Sequence, residues 1–233
     1  MKRVFVTFVV VVIVFAVMVG CTSTGQPTGS SDSGTSANTP AASEPTTGES
    51  STGPIVIGVS MDTVDHPFWQ ADVAGMEAKA EELGVTLDLQ VAQGDAAVQN
   101  QQIDDMLAKG VAAIICAPKD SKAILPAITK CNEKNVPFIY NDRSIDNTDT
   151  ATVAYGCGTD NYALAKSGWE WMVQYVKDND IGVLNVLELS GDLADNNVLD
   201  RTQGFKDVMD ANPDIVNLVQ TVPTEWDMDK SLA

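Results

Sequence analysis

Positive charge, histidine and aromatic rings are all scarce in this chain. Lysine and arginine number 14 against 32 aspartates and glutamates, for a formal charge of −18. A surface this negative repels phosphate backbones, which sets nucleic-acid binding aside. The only histidine is His66, and Cys116, Cys131 and Cys157 have neither metal-ligand spacing nor histidine partners. No metal site is therefore expected. Neither G-x-G-x-x-G nor G-x-x-x-x-G-K occurs, so the common phosphate-cradling loops are absent, and no cofactor is expected. Four cysteines in 233 residues are too few for a disulfide scaffold. The three outside the N-terminal segment are expected as buried thiols, with a Cys116–Cys131 disulfide left open.

Three compositions are joined end to end. Lys2 and Arg3 precede an apolar run from Val4 to Val19 whose only polar member is Thr7. A basic start and a short apolar stretch make a secretory signal peptide over 1–20, too short for a comfortable membrane span. Met18-Val19-Gly20-Cys21 resembles a bacterial lipobox, which implies cleavage before Cys21 and a lipid anchor on its thiol; an uncleaved N-terminal anchor is the alternative. Residues 21–53 are almost entirely Ser, Thr, Gly, Pro, Ala, Asn and a few acids, without a large apolar side chain. Such a segment buries too little to offset its ordering entropy and is expected to be a flexible tether. The remaining 180 residues, from Pro54, hold 12 basic and 29 acidic side chains, so their net charge is −17.

Here β-rich runs alternate with helical spacing. Ile55–Met61, Val85–Val91, Val111–Cys116, Val136–Tyr140 and Thr152–Tyr155 are the expected strands of a first lobe over 54–158. Trp69, Val73, Met76, Ala80 and Leu83 fall on one face of a helix that Asp65 or His66 caps, Pro67 begins and Gly84 ends. Val98, Ile103, Met106 and Leu107 make a second stripe, and Ile124, Leu125, Ile128 and Cys131 a third. Strands one helix apart in this way are parallel and buried on both faces. Gly156–Asn161 is rich in turn formers and is expected as a hinge. A second lobe over 159–233 has a helical stripe of Tyr162, Ala165, Trp169, Met172 and Val176. It continues with strands at Val183–Leu189 and Ile215–Val222 and a helix between them. The expected class is α/β, two doubly wound parallel-sheet lobes with the second incomplete, as if the sequence were part of a longer protein.

In open α/β sheets ligands bind beyond the carboxyl ends of the strands. The residues placed there include Asp62 through Trp69, Ala117 through Asp120, Asn141-Asp142-Arg143, Asp192 through Arg201, and Thr224 through Asp227. Aromatic rings can stack on the C–H faces of a sugar, while a carboxylate beside a guanidinium offers its hydroxyls an acceptor and a donor.

Ile57-Gly58-Val59-Ser60, His66-Pro67-Phe68-Trp69, Asn141-Asp142-Arg143 and Arg201-x-x-Gly204-Phe205, in that order, resemble the periplasmic sugar-binding proteins of ABC transporters, of the ribose/galactose type and the type I periplasmic binding fold. The resemblance runs from Ile55 to the last residue. It implies that Phe68, with Trp69 beside it, stacks on the sugar, and that His66 stands where the family often has an Asn or Asp touching a hydroxyl. It further implies that Asp142 and Arg143 are the acidic and basic pair that grips the ligand. Arg201 matches the arginine of the second lobe, and Asn197 a position that is an acidic contact in some members. Trp226 matches the aromatic that closes over the other face of the ring. Cys116 or Ala117 departs from the pattern, since relatives carry a sugar-binding Asn there.

Each has a structural alternative: Trp69 as core, His66 as a cap, Asp142 and Arg143 as a surface ion pair, Arg201 as a helix anchor. The expected function is a monomeric, extracytoplasmic, lipid-anchored receptor that carries a small sugar or polyol to an ABC permease. A sensory domain serving a chemoreceptor or kinase is the alternative. An enzyme is not expected, because Arg143 should keep Asp142 ionised and there is no Ser/His/Asp signature. A sugar-responsive repressor fails for want of a DNA-binding headpiece and of positive charge.

Overall fold

The computed structural model describes residues 53–232. The signal segment, Cys21 and nearly all of the expected tether lie outside them. In chain order the elements are β1 (Val56–Met61), α1 (Pro67–Leu83), β2 (Thr86–Val91), α2 (Ala96–Lys109), β3 (Ala113–Ala117), α3 (Leu125–Glu133), β4 (Phe138–Asn141) and β5 (Tyr155–Cys157). They continue with α4 (Asn161–Asp178), β6 (Leu184–Ser190), α5 (Asn196–Ala211), β7 (Val216–Pro223) and α6 (Met228–Leu232). The first five strands form one parallel sheet in the order β2-β1-β3-β4-β5, and β6 and β7 pair in parallel in a second.

Two cores enclose the first sheet. On one face Ile103, Met106 and Leu107 of α2 and Ala127, Ile128 and Cys131 of α3 pack with Ile114, Cys116 and Phe138. On the other, Trp69, Val73 and Met76 of α1 pack with Val59, Met61 and Ala117. β1 lies between β2 and β3, so its last residues, Val59 to Met61, are sealed from both sides. The first-lobe helix stripes are therefore correct in direction, but the first two fray at one end. Leu83 and Val98 are exposed. Gln99 takes the inward place in the first turn of α2, donating Nε2–H to Ala117 O at 3.0 Å and accepting from Lys119 N at 2.8 Å. That side chain satisfies backbone groups at the end of β3 that the sheet leaves open.

The expected caps of α1 are present. His66 Nδ1 accepts from Phe68 N at 3.2 Å, Pro67 opens the helix, and Gly84 ends it in the left-handed conformation at φ 66°. A side chain with a Cβ is strained at that φ.

The fifth strand lies later than the sequence pattern predicts. Thr152 N donates to Asn132 Oδ1 and Val153 N to Asn147 Oδ1, so side chains take the donors that a ladder would use. Pairing with β4 begins only at Tyr155. Gly156 and Cys157 are thus strand rather than hinge, and the chain crosses to the second sheet through 158–160.

In the second lobe, α4 and α5 pack together over one face of β6 and β7, around Val173, Val186, Phe205, Val208 and Val216. Trp169 and Phe205 meet at a centroid distance of 4.4 Å. Gly204 permits this approach: a Cβ there would stand 2.5 Å from Tyr162 O and 3.0 Å from Lys166 N.

Cys116 and Cys131 are free and buried, so the open disulfide is not formed. Burial pushes the Cys131 thiol up to about 12 and raises Cys116 further. Cys157, expected to be buried, is exposed because β5 is the edge strand.

Candidate functional site

The order β2-β1-β3 reverses the direction of winding between β1 and β3, which opens a crevice at their carboxyl ends. Arg143, two residues beyond β4, lies across that crevice. Its Nη1 donates to Asp62 Oδ2, just after β1, at 2.7 Å and to Pro118 O, just after β3, at 2.9 Å. Its Nε lies 3.2 Å from Asp195 Oδ2, at the start of α5 in the second lobe. Its guanidinium carbon stands 5.4 Å from the centroid of the Trp69 ring, within cation–π range. Arg143 is only 4% exposed, and its charge is balanced by carboxylates from both lobes.

The alternative of a surface ion pair between Asp142 and Arg143 is therefore not what forms. Adjacent residues on an extended chain point apart, and Asp142 sits at φ 62°, which turns its side chain elsewhere. Asp142 Oδ2 accepts from Asn197 Nδ2 at 3.2 Å, while Asn197 Oδ1 accepts from Ser144 N at 3.3 Å. Burial raises the pKa of Asp142; the attraction of Arg143 and Arg201 opposes that shift, and repulsion from Asp72 adds to it. Arg143 thus acts on Asp142 in the expected direction, favouring the ionised form, although burial outweighs it.

The second lobe supplies the opposite wall. Trp226 Nε1 donates to Asp195 Oδ2 at 3.2 Å, and the Arg201 guanidinium lies 5.8 Å from the Trp226 ring centroid. Arg201 Nε donates to Asn161 Oδ1 at 2.7 Å, which fixes the arginine against the N-terminus of α4. Trp226 has φ 62° and Glu225 φ 53°, unusual for side chains with a Cβ. The indole lies against Gly191, where a Cβ would be 2.4 Å from Cε2. Two of the eight sequence-selected binding residues, Asp142 and Trp226, thus hold strained backbone, a feature that clusters at ligand sites.

Of those eight, Trp69, Arg143, Trp226 and Arg201 form one connected series with Asp195, and Asn197 and Asp142 adjoin it. Phe68 is 52% exposed and meets Trp69 edge-on at 4.9 Å, at the mouth of the crevice. His66 is exposed and bonds within its own helix. Trp69 belongs to the core, its structural alternative, and its ring also faces Arg143.

Several participants were not singled out from the sequence, although most lie in the strand-end stretches. Asp62 and Asp195 are buried carboxylates at strand or helix ends, and neither position alone distinguishes a cap from an ion-pair partner. Burial raises the pKa of Asp195 against the pull of Arg143. Lys119 pairs with Asp192 across the lobes. For Asp192, burial acts upward, but the bonds from Lys119 and from Ala194 N hold its pKa below the usual carboxylate value. Asp72, on α1, accepts from Asn141 Nδ2 at 2.5 Å, and burial raises it. A helical position gave no reason to look there.

A cavity of about 320 Å³ runs along β6 between Trp169, Phe205, Leu187, Leu189 and Arg201. No first-lobe residue lines it, and its apolar walls offer little to hydroxyl groups. Among the described residues there is no cluster of His, Cys, Asp and Glu able to hold a metal ion.

Two parallel α/β sheets with polar and aromatic groups gathered where their strand ends face each other define a type I periplasmic-binding architecture. Residues 57–233 match the family described as periplasmic binding protein domain, and the chain belongs to that family. It is 28% identical over 176 residues to the ribose import binding protein RbsB of Haemophilus influenzae, covering 76% of this chain and 57% of that one. It is 29% identical over 171 residues to a D-apiose import binding protein of Paraburkholderia graminis, covering 73% and 53%. The myo-inositol binding protein of Caulobacter superposes with a TM-score of 0.70 at 24% identity, over 78% of this chain and 61% of that one. The chain spans about half the length of the curated relatives it matches.

Proposed function

We propose that this protein captures a small sugar or polyol in the crevice between its two lobes and delivers it to an ABC permease. It works outside the cytoplasm as a monomer, tethered through a lipid on Cys21 and the segment that follows. One observation carries this reading: Trp69, Asp142, Arg143, Asn197, Arg201 and Trp226, from four separate segments, meet at the facing strand ends of the two sheets. The named import binding proteins among its relatives support the same direction.

In this reading Phe68 and Trp226 cover the two apolar faces of the ring, and His66 meets a hydroxyl at the rim. Asn197 occupies one oxygen of Asp142 and leaves the other for a hydroxyl. The guanidiniums of Arg143 and Arg201 donate to ring oxygens and hydroxyls. Their first donors are already committed to Asp62, Pro118 and Asn161, so the forks are fixed before the ligand arrives. Closure removes water from these bonds and strengthens them. Recognition is by binding, without a chemical step.

Isothermal titration of the purified chain with neutral monosaccharides and polyols tests the proposal. Saturable heat with at least one of them is expected, and no heat with any removes it. Cys21→Ser should release the protein from membranes with its fold intact; retention on the membrane favours an uncleaved anchor.

A further inference from the structure

Asp195, which was not singled out from the sequence, links the two lobes at the crevice. It is 1% exposed. Its Oδ1 accepts from Asn197 N at 2.9 Å and caps α5. Its Oδ2 is shared by Arg143 Nε and Trp226 Nε1, each at 3.2 Å. Capping requires only a neutral oxygen, and serine or asparagine serves as well as aspartate. A buried carboxylate carries a desolvation cost that a cap alone does not require. The guanidinium that offsets this cost comes from the other lobe.

Three backbone amides cross the same boundary nearby. Ser121 N donates to Ala194 O at 3.0 Å, Asn196 N to Ser121 Oγ at 3.1 Å, and Ser144 N to Asn197 Oδ1 at 3.3 Å. They close around Asp195 only when the lobes meet.

We infer that Asp195 is a positioning residue whose charge couples the two lobes through Arg143 and sets Arg143 and Trp226 in register with each other before any ligand binds. The consequence for recognition rests on the sugar-binding reading of the crevice; the coupling itself does not. Asp62 holds Arg143 within the first lobe, whereas Asp195 holds it from the second.

Hydrogen exchange on the full chain without ligand tests the coupling. Asp195→Asn and Asp195→Ser both retain a capping oxygen and remove the charge. In both variants the amides of Ser121, Ser144 and Asn196 should exchange at least about tenfold faster, as expected for losing a charge-assisted bond. The sheet amides of Ile114 and Leu184, which bond to Pro137 O and Ile215 O, should be unchanged. Interlobe exchange within about twofold of the wild type in both variants makes Asp195 a cap only and overturns the inference. Faster exchange at the sheet amides as well makes it a general stability residue and overturns the inference equally. If the interlobe amides loosen in a protein that binds no sugar, the coupling stands and the sugar reading falls.

Discussion

Replacing Arg143 with methionine removes a charge and keeps most of the side chain's length. In the folded protein the substitution strands two buried carboxylates, Asp62 and Asp195, and deprives Pro118 O of its donor. Breaking a buried ion pair from one side typically costs about 3–5 kcal/mol, because the remaining charge is left without compensation. The Trp69 contact adds up to about 2 kcal/mol where the cation is desolvated, as it is here. We expect a loss near the upper part of the first range at neutral pH.

The loss should depend on pH in a definite direction. Asp195 is already raised above its unfolded value by burial, and Arg143 opposes that shift. Without Arg143 the folded-state pKa rises further. A carboxylate raised on folding penalises the folded state fully above its folded pKa and not at all below its unfolded one. The deficit of Arg143→Met relative to wild type should therefore shrink as the pH falls from about 7 towards about 4. Urea unfolding of both proteins at the two ends of that range, followed by tryptophan fluorescence, measures it. A deficit below about 1 kcal/mol at neutral pH, or one that grows on acidification, would refute the assignment of a buried charge network around Arg143.

Gly191→Ala places a Cβ 2.4 Å from the Trp226 indole, so the ring must leave its place over Gly191. Because Trp226 is 47% exposed on a loop, the loop rather than the sheet should yield. We expect a changed near-UV circular dichroism spectrum and weaker sugar binding with little loss of melting temperature, and an unaltered spectrum would contradict the packing. In the Cys21→Ser chain, a maleimide should label Cys157 alone under native conditions and Cys116 and Cys131 only in denaturant, since burial holds both thiols protonated. Rapid native labelling of a second thiol would contradict the core around β3 and α3.

The elements and their class were legible locally. Apolar spacing placed seven strands and their intervening helices within a few residues, because each buried face repeats with the period of its own backbone. The rule that ligands gather at strand ends picked out the stretches that hold Asp142, Arg143, Asn197, Arg201 and Trp226, the family resemblance singled out those residues within them, and they lie together. The edge strand β5 was misplaced because Asn132 and Asn147 capture backbone donors from a distance in sequence.

What the tertiary structure alone decided is which charges answer one another. The adjacent pair Asp142-Arg143 suggested itself from sequence, yet Arg143 takes Asp62, 81 residues away, and Asp195 in the other lobe. A backbone that turns through φ 62° at Asp142 sends neighbouring side chains in different directions. Periodicity belongs to a single segment and can be read along the chain. Charge pairing belongs to the space between segments, where only the packed sheets bring distant carboxylates and guanidiniums within bonding distance.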